Sequence, residues 1–156
     1  MRLRRSTARV LPVDRAGRVL LQLAHGLLER GDRHWLTIGG GVARGETLAQ
    51  AAAREMREEA GIDVDPAALG RPIGTTVIGY PAFGVLPVCQ YQTYFAVALD
   101  GAEPDFRHAS LLERLSIEGH AWLSADELER RPERLTDAAL PRLARAAAAA
   151  VVAVRP

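Results

Sequence analysis

The sequence predicts a mixed α+β domain, and three observations predict it. Runs rich in apolar and β-branched residues recur at 8–13, 19–24, 35–38, 74–80, 85–99 and 119–123, as strands do. A capped helical stretch lies at 47–60, and an alanine-rich stretch occupies 138–154. No repeat and no Pro-, Gly- or Ser-rich linker divides the 156 residues, so one domain over 1–156 is expected, long enough to bury a core.

The charged connection Asp14-Arg15-Ala16-Gly17-Arg18 turns the first two runs into a hairpin. A polar connection over 29–34 leads to Trp35-Leu36-Thr37-Ile38, a short strand expected to stop at Gly39-Gly40-Gly41. Thr47 and Gln50 form a capping box, and Gly61 sits where a left-handed C-terminal cap belongs. Asp63-Val64-Asp65-Pro66 reads as a turn. The run at 74–80 is a strand, and 85–99 is a longer one with Tyr91, Thr93, Phe95 and Val97 on one face. Residues 100–115 are mostly polar and expected to be irregular. A last strand follows at 119–123, and Ser124 with Glu127 caps a short helix over 125–131. The terminal helix, about 138–154, places Pro141 in its first turn.

All twenty basic residues are Arg and balance nineteen acids, leaving a net charge of +1 that argues against bulk attraction to nucleic acid or membrane. The single Cys excludes an internal disulfide framework and suits a reducing, cytoplasmic setting; Cys89, inside a strand, is expected to be a buried small hydrophobe. Ser6-Thr7-Ala8-Arg9 interrupts the apolar stretch that an export signal needs, and the longest uncharged apolar run, 146–154, falls short of the roughly 20 residues that span a bilayer. His25, His34, His108 and His120 lack metal-ligand spacing, and no serine sits in a glycine elbow.

The chemistry concentrates in GGVARGETLAQAAAREMREEAGI, residues 40–62. On the helix, Glu55, Glu58 and Glu59 share one arc of about 100°, as positions i, i+3 and i+4 do. Ala49, Ala53, Met56 and Ala60 form a separate apolar face toward the core, while Ala51 and Ala52 leave room beside the carboxylates for a bulky ligand. Like charges on one helical face repel, so a compensating cation is expected. Carboxylate oxygens without Cys or His suit Mg²⁺ first and Mn²⁺ second. Gly39, Gly40, Gly41 and Gly45 permit a tight loop whose amides face an anion. Together these features describe a site for a phosphorylated ligand. Read without further pattern, the same acids form a solvated helical face.

The spacing resembles the signature of the Nudix hydrolases, G-x5-E-x7-R-E-U-x-E-E-x-G-U with U apolar. Gly40, Glu46, Arg54, Glu55, Met56, Glu58, Glu59, Gly61 and Ile62 fill every specified position. At ordinary residue frequencies a chance match in this chain is on the order of one in a million. Trp35 to Gly40, Gly45-Glu46, Trp122-Leu123 and Asp126-Glu127-Leu128 extend the likeness over about 8–128. Ile38 stands where many members carry Pro, and Ala43 replaces a frequent Glu.

The resemblance implies an α/β/α sandwich with a mixed β-sheet and Mg²⁺-dependent hydrolysis of a diphosphate bond in a nucleoside diphosphate derivative. It implies Glu55, Glu58 and Glu59 as metal ligands, with Glu58 or Glu59 helping to activate water. Arg54 would orient a carboxylate, Glu58 four residues along, and Glu46 would support the loop–helix junction or an outer-shell water. Many members recruit a further Glu as ligand or base; Glu118 ranks first here and Glu113 second. Tyr80, 18 residues past the box, is a candidate for base stacking, as are Phe83, Tyr91, Tyr94 and Phe106. Arg33 and Arg44 are candidates for phosphate contact. The partner is a small nucleotide-type molecule, with no nucleic-acid polymer and no membrane. A homodimer is one use of the alanine-rich terminal helix; covering the domain's own sheet is the other. The competing reading of the whole is a non-catalytic Nudix domain that senses a nucleotide or metabolite.

Overall fold

The computed structural model describes residues 3–26, 31–82 and 85–155; Phe83 and part of the expected connection over 29–34 lie outside the described residues. The chain runs β1 (Leu3–Val13), β2 (Val19–His25), β3 (Arg33–Leu36), β4 (Ile38–Gly41), α1 (Leu48–Ala60), β5 (Gly74–Ala82) and β6 (Leu86–Ala98). It continues through α2 (Leu111–Ser116), β7 (Ile117–Leu123), α3 (Ala125–Arg130), β8 (Arg134–Leu135) and α4 (Leu140–Val154). The strands form one mixed sheet of order β5-β6-β1-β2-β3-β8, with β4 added to β1 and β7 to β2. The β1–β6 and β3–β8 pairs are parallel and the others antiparallel.

The sheet is covered on both faces, which is why β1 and β2 read as nearly continuous apolar runs. On one side Ala8, Val10, Leu20, Ile38 and Phe95 pack against Ala51, Ala52, Met56 and Ala60 of α1. On the other, Leu11, Val13, Leu21, Leu23 and Tyr94 pack against Leu128 of α3 and Leu140, Leu143, Ala144, Ala147 and Val151 of α4. This is the expected α+β sandwich. The small side chains of α4 let it lie close on its own sheet, so Ala144 and Ala147 are used within the chain. Among the described residues, no helix is long and apolar enough to cross a membrane.

Several elements differ from expectation for local reasons. β1 begins five residues before the apolar run, because exposed residues of its first half pair in register with β6 from Leu3↔Val88 onward. The strand expected over 35–38 is two strands broken at Thr37: β3 pairs with β2, and β4 with β1. α2 replaces part of the irregular stretch, and a Ser110–Glu113 capping box starts it. Cys89 is half-buried, not buried. Helix α1 has the expected ends: Thr47 Oγ1 accepts from the Gln50 amide at 3.1 Å, Gln50 Oε1 accepts from the Thr47 amide at 2.9 Å, and Gly61 closes it at φ 67°. Such a cap is worth about 1 kcal/mol.

Candidate active site

Packing of the apolar face of α1 sets the rotation of the helix over the sheet. Met56 and Ala60 point into the core, and Glu55 and Glu59, one turn apart, are carried to the edge of that contact, only 8% and 5% exposed. Glu58 projects outward and is exposed. Ala51 and Ala52, expected to leave room for a ligand, are instead fully buried in the core beneath the helix. Space for the carboxylates comes from the strand below. A Cβ on Gly40 would overlap Glu55 Oε1, and the Gly39 amide donates to Glu59 Oε1 at 3.3 Å.

The triple glycine is therefore not the loop expected from sequence. It is strand β4, paired to β1 through Arg9↔Gly39, Ala8↔Gly40 and Thr7↔Gly41. Absent side chains let buried carboxylates lie directly on the backbone. Gly39 also sits at φ 143° with the Ala8 carbonyl where a Cβ would go, so substitution there strains the strand. At Gly40 the colliding atom is the far end of Glu55, so Gly40→Ala is expected to displace that carboxylate and leave the fold intact. A rise of about tenfold in the Mg²⁺ concentration needed for half-maximal activity, with unchanged far-UV circular dichroism, checks this.

Arg54 gathers the acids. Its Nε and Nη2 donate to Glu46 at 2.9 and 3.1 Å, its Nη1 to Glu55 at 2.7 Å and Glu58 at 3.0 Å, and its Nη2 also to the Gly41 carbonyl at 2.9 Å. The expected partner, Glu58, is thus one of four acceptors. Glu46 accepts additionally from the Ala43 amide at 2.9 Å, which ties the turn before α1 to the helix. A model of the NUDIX domain family matches residues 3–144. The chain belongs to that family, and with it to the Nudix hydrolases.

Solved structures agree with this on fold. The MutT NUDIX hydrolase from Burkholderia pseudomallei is 22% identical, with a TM-score of 0.64 over 90% of this chain and 95% of that one. An Ap4A hydrolase from C. elegans, in a binary complex, is 20% identical, with a TM-score of 0.60 over 96% and 98%. A bifunctional NMN adenylyltransferase/ADP ribose pyrophosphatase from Francisella tularensis, complexed with AMP and a Mn ion, is 17% identical, with a TM-score of 0.58 over 92% of this chain and 41% of that one. No curated protein sequence matches the chain.

In this Nudix domain the box carboxylates are electrostatically unequal. Burial pushes the Glu59 carboxyl up to about 8, reinforced by the charges of Glu113 and Glu55; the Gly39 amide and the Arg9 charge pull the other way. Glu46 is held below the usual carboxylate range by its bond to Arg54. Arg54 is raised, chiefly by Glu46. The donors Glu55, Glu58 and Glu59 are all carboxylate oxygens, the set a hard divalent ion prefers, and a buried carboxylate raised by its acidic neighbours is what such an ion relieves. Among the described residues, no three His, Cys, Asp or Glu side chains close on one point as a finished metal cage; Arg54 draws Glu55 and Glu58 toward itself.

A stability signature follows from Glu59. The folded state keeps a proton that the unfolded chain, titrating near 4.5, releases first. This contribution is intact below about pH 4.5 and is lost as pH rises to about 8. Metal-free protein should therefore lose thermal stability relative to Glu59→Gln across that window, and Mg²⁺ should restore it. Differential scanning calorimetry of both proteins, with EDTA and with Mg²⁺, measures the difference.

The acids outside the box occupy distinct settings. Glu118 Oε2 accepts from Arg33 Nε at 2.8 Å, so Arg33, a candidate phosphate contact, is engaged there. Glu113 caps α2 by accepting from the Ser110 amide at 2.7 Å, and it is the one whose charge acts on Glu59. Arg44 is exposed. Among the aromatic candidates, Tyr94 is buried with its hydroxyl on Asp137 at 2.9 Å, Phe106 lies against His120 with centroids 4.6 Å apart, and Tyr91 carries Arg4 over its ring. Tyr80 is partly exposed and donates to Gln90 Oε1 at 3.3 Å. Sequence reasoning missed Arg9, whose Nη1 donates to the carbonyls of Thr37 at 3.4 Å and Gly39 at 3.0 Å. Its signal was an arginine inside the apolar run 8–13.

Proposed function

We propose that this Nudix domain is a Mg²⁺-dependent pyrophosphohydrolase that cleaves the diphosphate bond of a nucleoside diphosphate derivative. The observation that carries the reading is the seating of Glu55 and Glu59 on the bare backbone of Gly39 and Gly40, with Glu58 beside them and open to solvent. Glu55, Glu58 and Glu59 would hold the ion, Mg²⁺ or Mn²⁺. When bound, the cation screens diphosphate charge and makes water more acidic. Arg54 holds Glu55 and Glu58 in place, and Glu46 anchors Arg54. Glu58 or Glu59 accepts the proton of the attacking water, the new bond forms between that oxygen and phosphorus, and the bridging P–O bond breaks to release the second phosphate. We place the protein in the cytoplasm, where a small nucleotide is its partner.

The likeness to an Ap4A hydrolase and an ADP ribose pyrophosphatase supports nucleotide-linked diphosphates as the substrate class. The test is hydrolysis across nucleoside triphosphates, nucleotide sugars and dinucleoside polyphosphates, with Mg²⁺ and with EDTA. Metal-dependent cleavage of at least one compound is expected. Tight binding of one without cleavage of any would establish the sensor instead.

A further inference from the structure

On the α1 face of the sheet, a cavity of about 360 Å³ lies between the β2–β7 pair and the segment before β7, and Gln22, Phe106, Arg107, Arg114, Ile117 and His120 help to line it. That volume is typical of small-molecule sites. Its wall starts beside the carboxylate centre. The Asp105 amide donates to the Ala60 carbonyl at 2.8 Å, one residue past Glu59, and Phe106 packs into the cluster beneath α1. The charge of Glu113, which precedes Arg114, reaches Glu59.

Several charged groups around the cavity are already committed: Asp105 holds Arg107 at 2.7 Å, and Arg33 holds Glu118 at 2.8 Å. Gln22 differs. It sits on β2 opposite His120 and, two residues from Leu20, on the face that carries α1. The residue is only 3% exposed, yet its side chain has no hydrogen-bond partner among the described residues. Its amide is not sealed into the core and meets the cavity. A primary amide sets a donor beside an acceptor, and burial makes leaving both unused costly. Next to it the exposed His120 ring and the half-buried Phe106 ring have centroids 4.6 Å apart, and Arg114 has no ion pair among the described residues.

We infer that this cavity takes the nucleobase of the substrate, with Gln22 as the residue that hydrogen-bonds the edge of the base. The inference rests on the nucleotide-hydrolase reading for the nature of the ligand. A flat ring that carries donors and acceptors on its edge satisfies a buried amide and an aromatic wall together; an aliphatic or purely ionic group leaves one of them unused. The amide can turn its oxygen and nitrogen about, so it suits the edge of any base and singles out none. Arg114 offers a cation to a phosphate attached to the base. Tyr80 borders a separate cleft, with Arg9 and Gln90.

Isothermal titration of AMP, GMP, UMP and ribose 5-phosphate into the protein in Mg²⁺ tests this without catalysis, because none of the four carries a diphosphate bond. At least one nucleotide should bind about tenfold or more tightly than ribose 5-phosphate. Gln22→Leu, which keeps the size and removes the amide, should weaken that nucleotide about tenfold and leave ribose 5-phosphate unchanged. His120→Ala, at an exposed position, should do the same through lost stacking, and it serves if Gln22→Leu does not fold. Nucleotides that bind no better than ribose 5-phosphate, or wild-type affinity in the cavity variants, would overturn the inference. Loss of binding on Tyr80→Ala with wild-type affinity in the cavity variants would put the base in the other cleft and overturn it too, as would equal weakening of ribose 5-phosphate by Gln22→Leu. Base-dependent binding that needs Gln22, with no hydrolysis of any compound in the substrate panel, would defeat the enzyme reading alone. Metal-dependent hydrolysis with wild-type KM in both cavity variants would defeat this inference alone.

Discussion

Glu59→Gln should lower kcat by at least about 10²-fold while leaving the metal-free protein as stable as the wild type, or more so. The two halves have one cause. Glu59 is buried beside Glu55, within reach of the charge of Glu113, and its carboxyl is pushed up to about 8. An amide of the same shape keeps an oxygen for the Gly39 N–H and removes the buried charge. A core residue of that burial would lose stability on substitution; a ligand under electrostatic load should lose only activity. Glu58→Gln should show a similar loss of turnover with little change in stability, since Glu58 is exposed. Steady-state kinetics with thermal melts in EDTA separates the effects, and near-wild-type turnover in both variants would show that the centre lies elsewhere.

Arg54→Met should have the largest effect on stability, a loss of about 2–3 kcal/mol. The guanidinium side chain is 26% exposed, and its partners Glu46 and Glu55 are 14% and 11% exposed, so the variant leaves poorly hydrated carboxylates without their cation. The remaining exposure keeps the figure below that of a fully buried pair. For a domain of 156 residues it corresponds to a fall in Tm of roughly 5–10 °C, read by calorimetry. Arg54→Lys should recover little of it, because one ammonium cannot serve Glu46, Glu55, Glu58 and the Gly41 carbonyl together.

Much of this arrangement is legible in the sequence because local rules govern it. The Thr47–Gln50 box and Gly61 mark α1 to the residue, and helical periodicity puts Glu55, Glu58 and Glu59 on one arc. Periodicity does not say which part of that arc the sheet covers, so the burial of Glu55 and Glu59 against the exposure of Glu58 appears only in three dimensions. Gly39 to Gly41 look like a loop in sequence because glycine disfavours strands in isolation; pairing with β1 overrides that preference. Ala51 and Ala52 join Ala8, Val10 and Ile38 in the core, a wider buried face than the stripe of Ala53, Met56 and Ala60 alone marks. The Ser110–Glu113 box of α2 was visible, but Leu111, Leu112 and Leu115 remain exposed, so no buried stripe marked the helix. Arg9 meets Thr37 and Gly39 across 28 and 30 residues, a separation that no local pattern reports.

The central claim is that the helix α1 carboxylates hold a divalent cation. Mn²⁺ titration followed by electron paramagnetic resonance tests it most directly, on wild type and on Glu55→Gln/Glu58→Gln/Glu59→Gln. The wild type should take up Mn²⁺, release it to excess Mg²⁺, and bind more tightly as pH rises toward 8, where Glu59 loses its proton. The triple variant should leave the free-ion signal untouched. Equal Mn²⁺ uptake by the two proteins, or none by the wild type, would contradict the account.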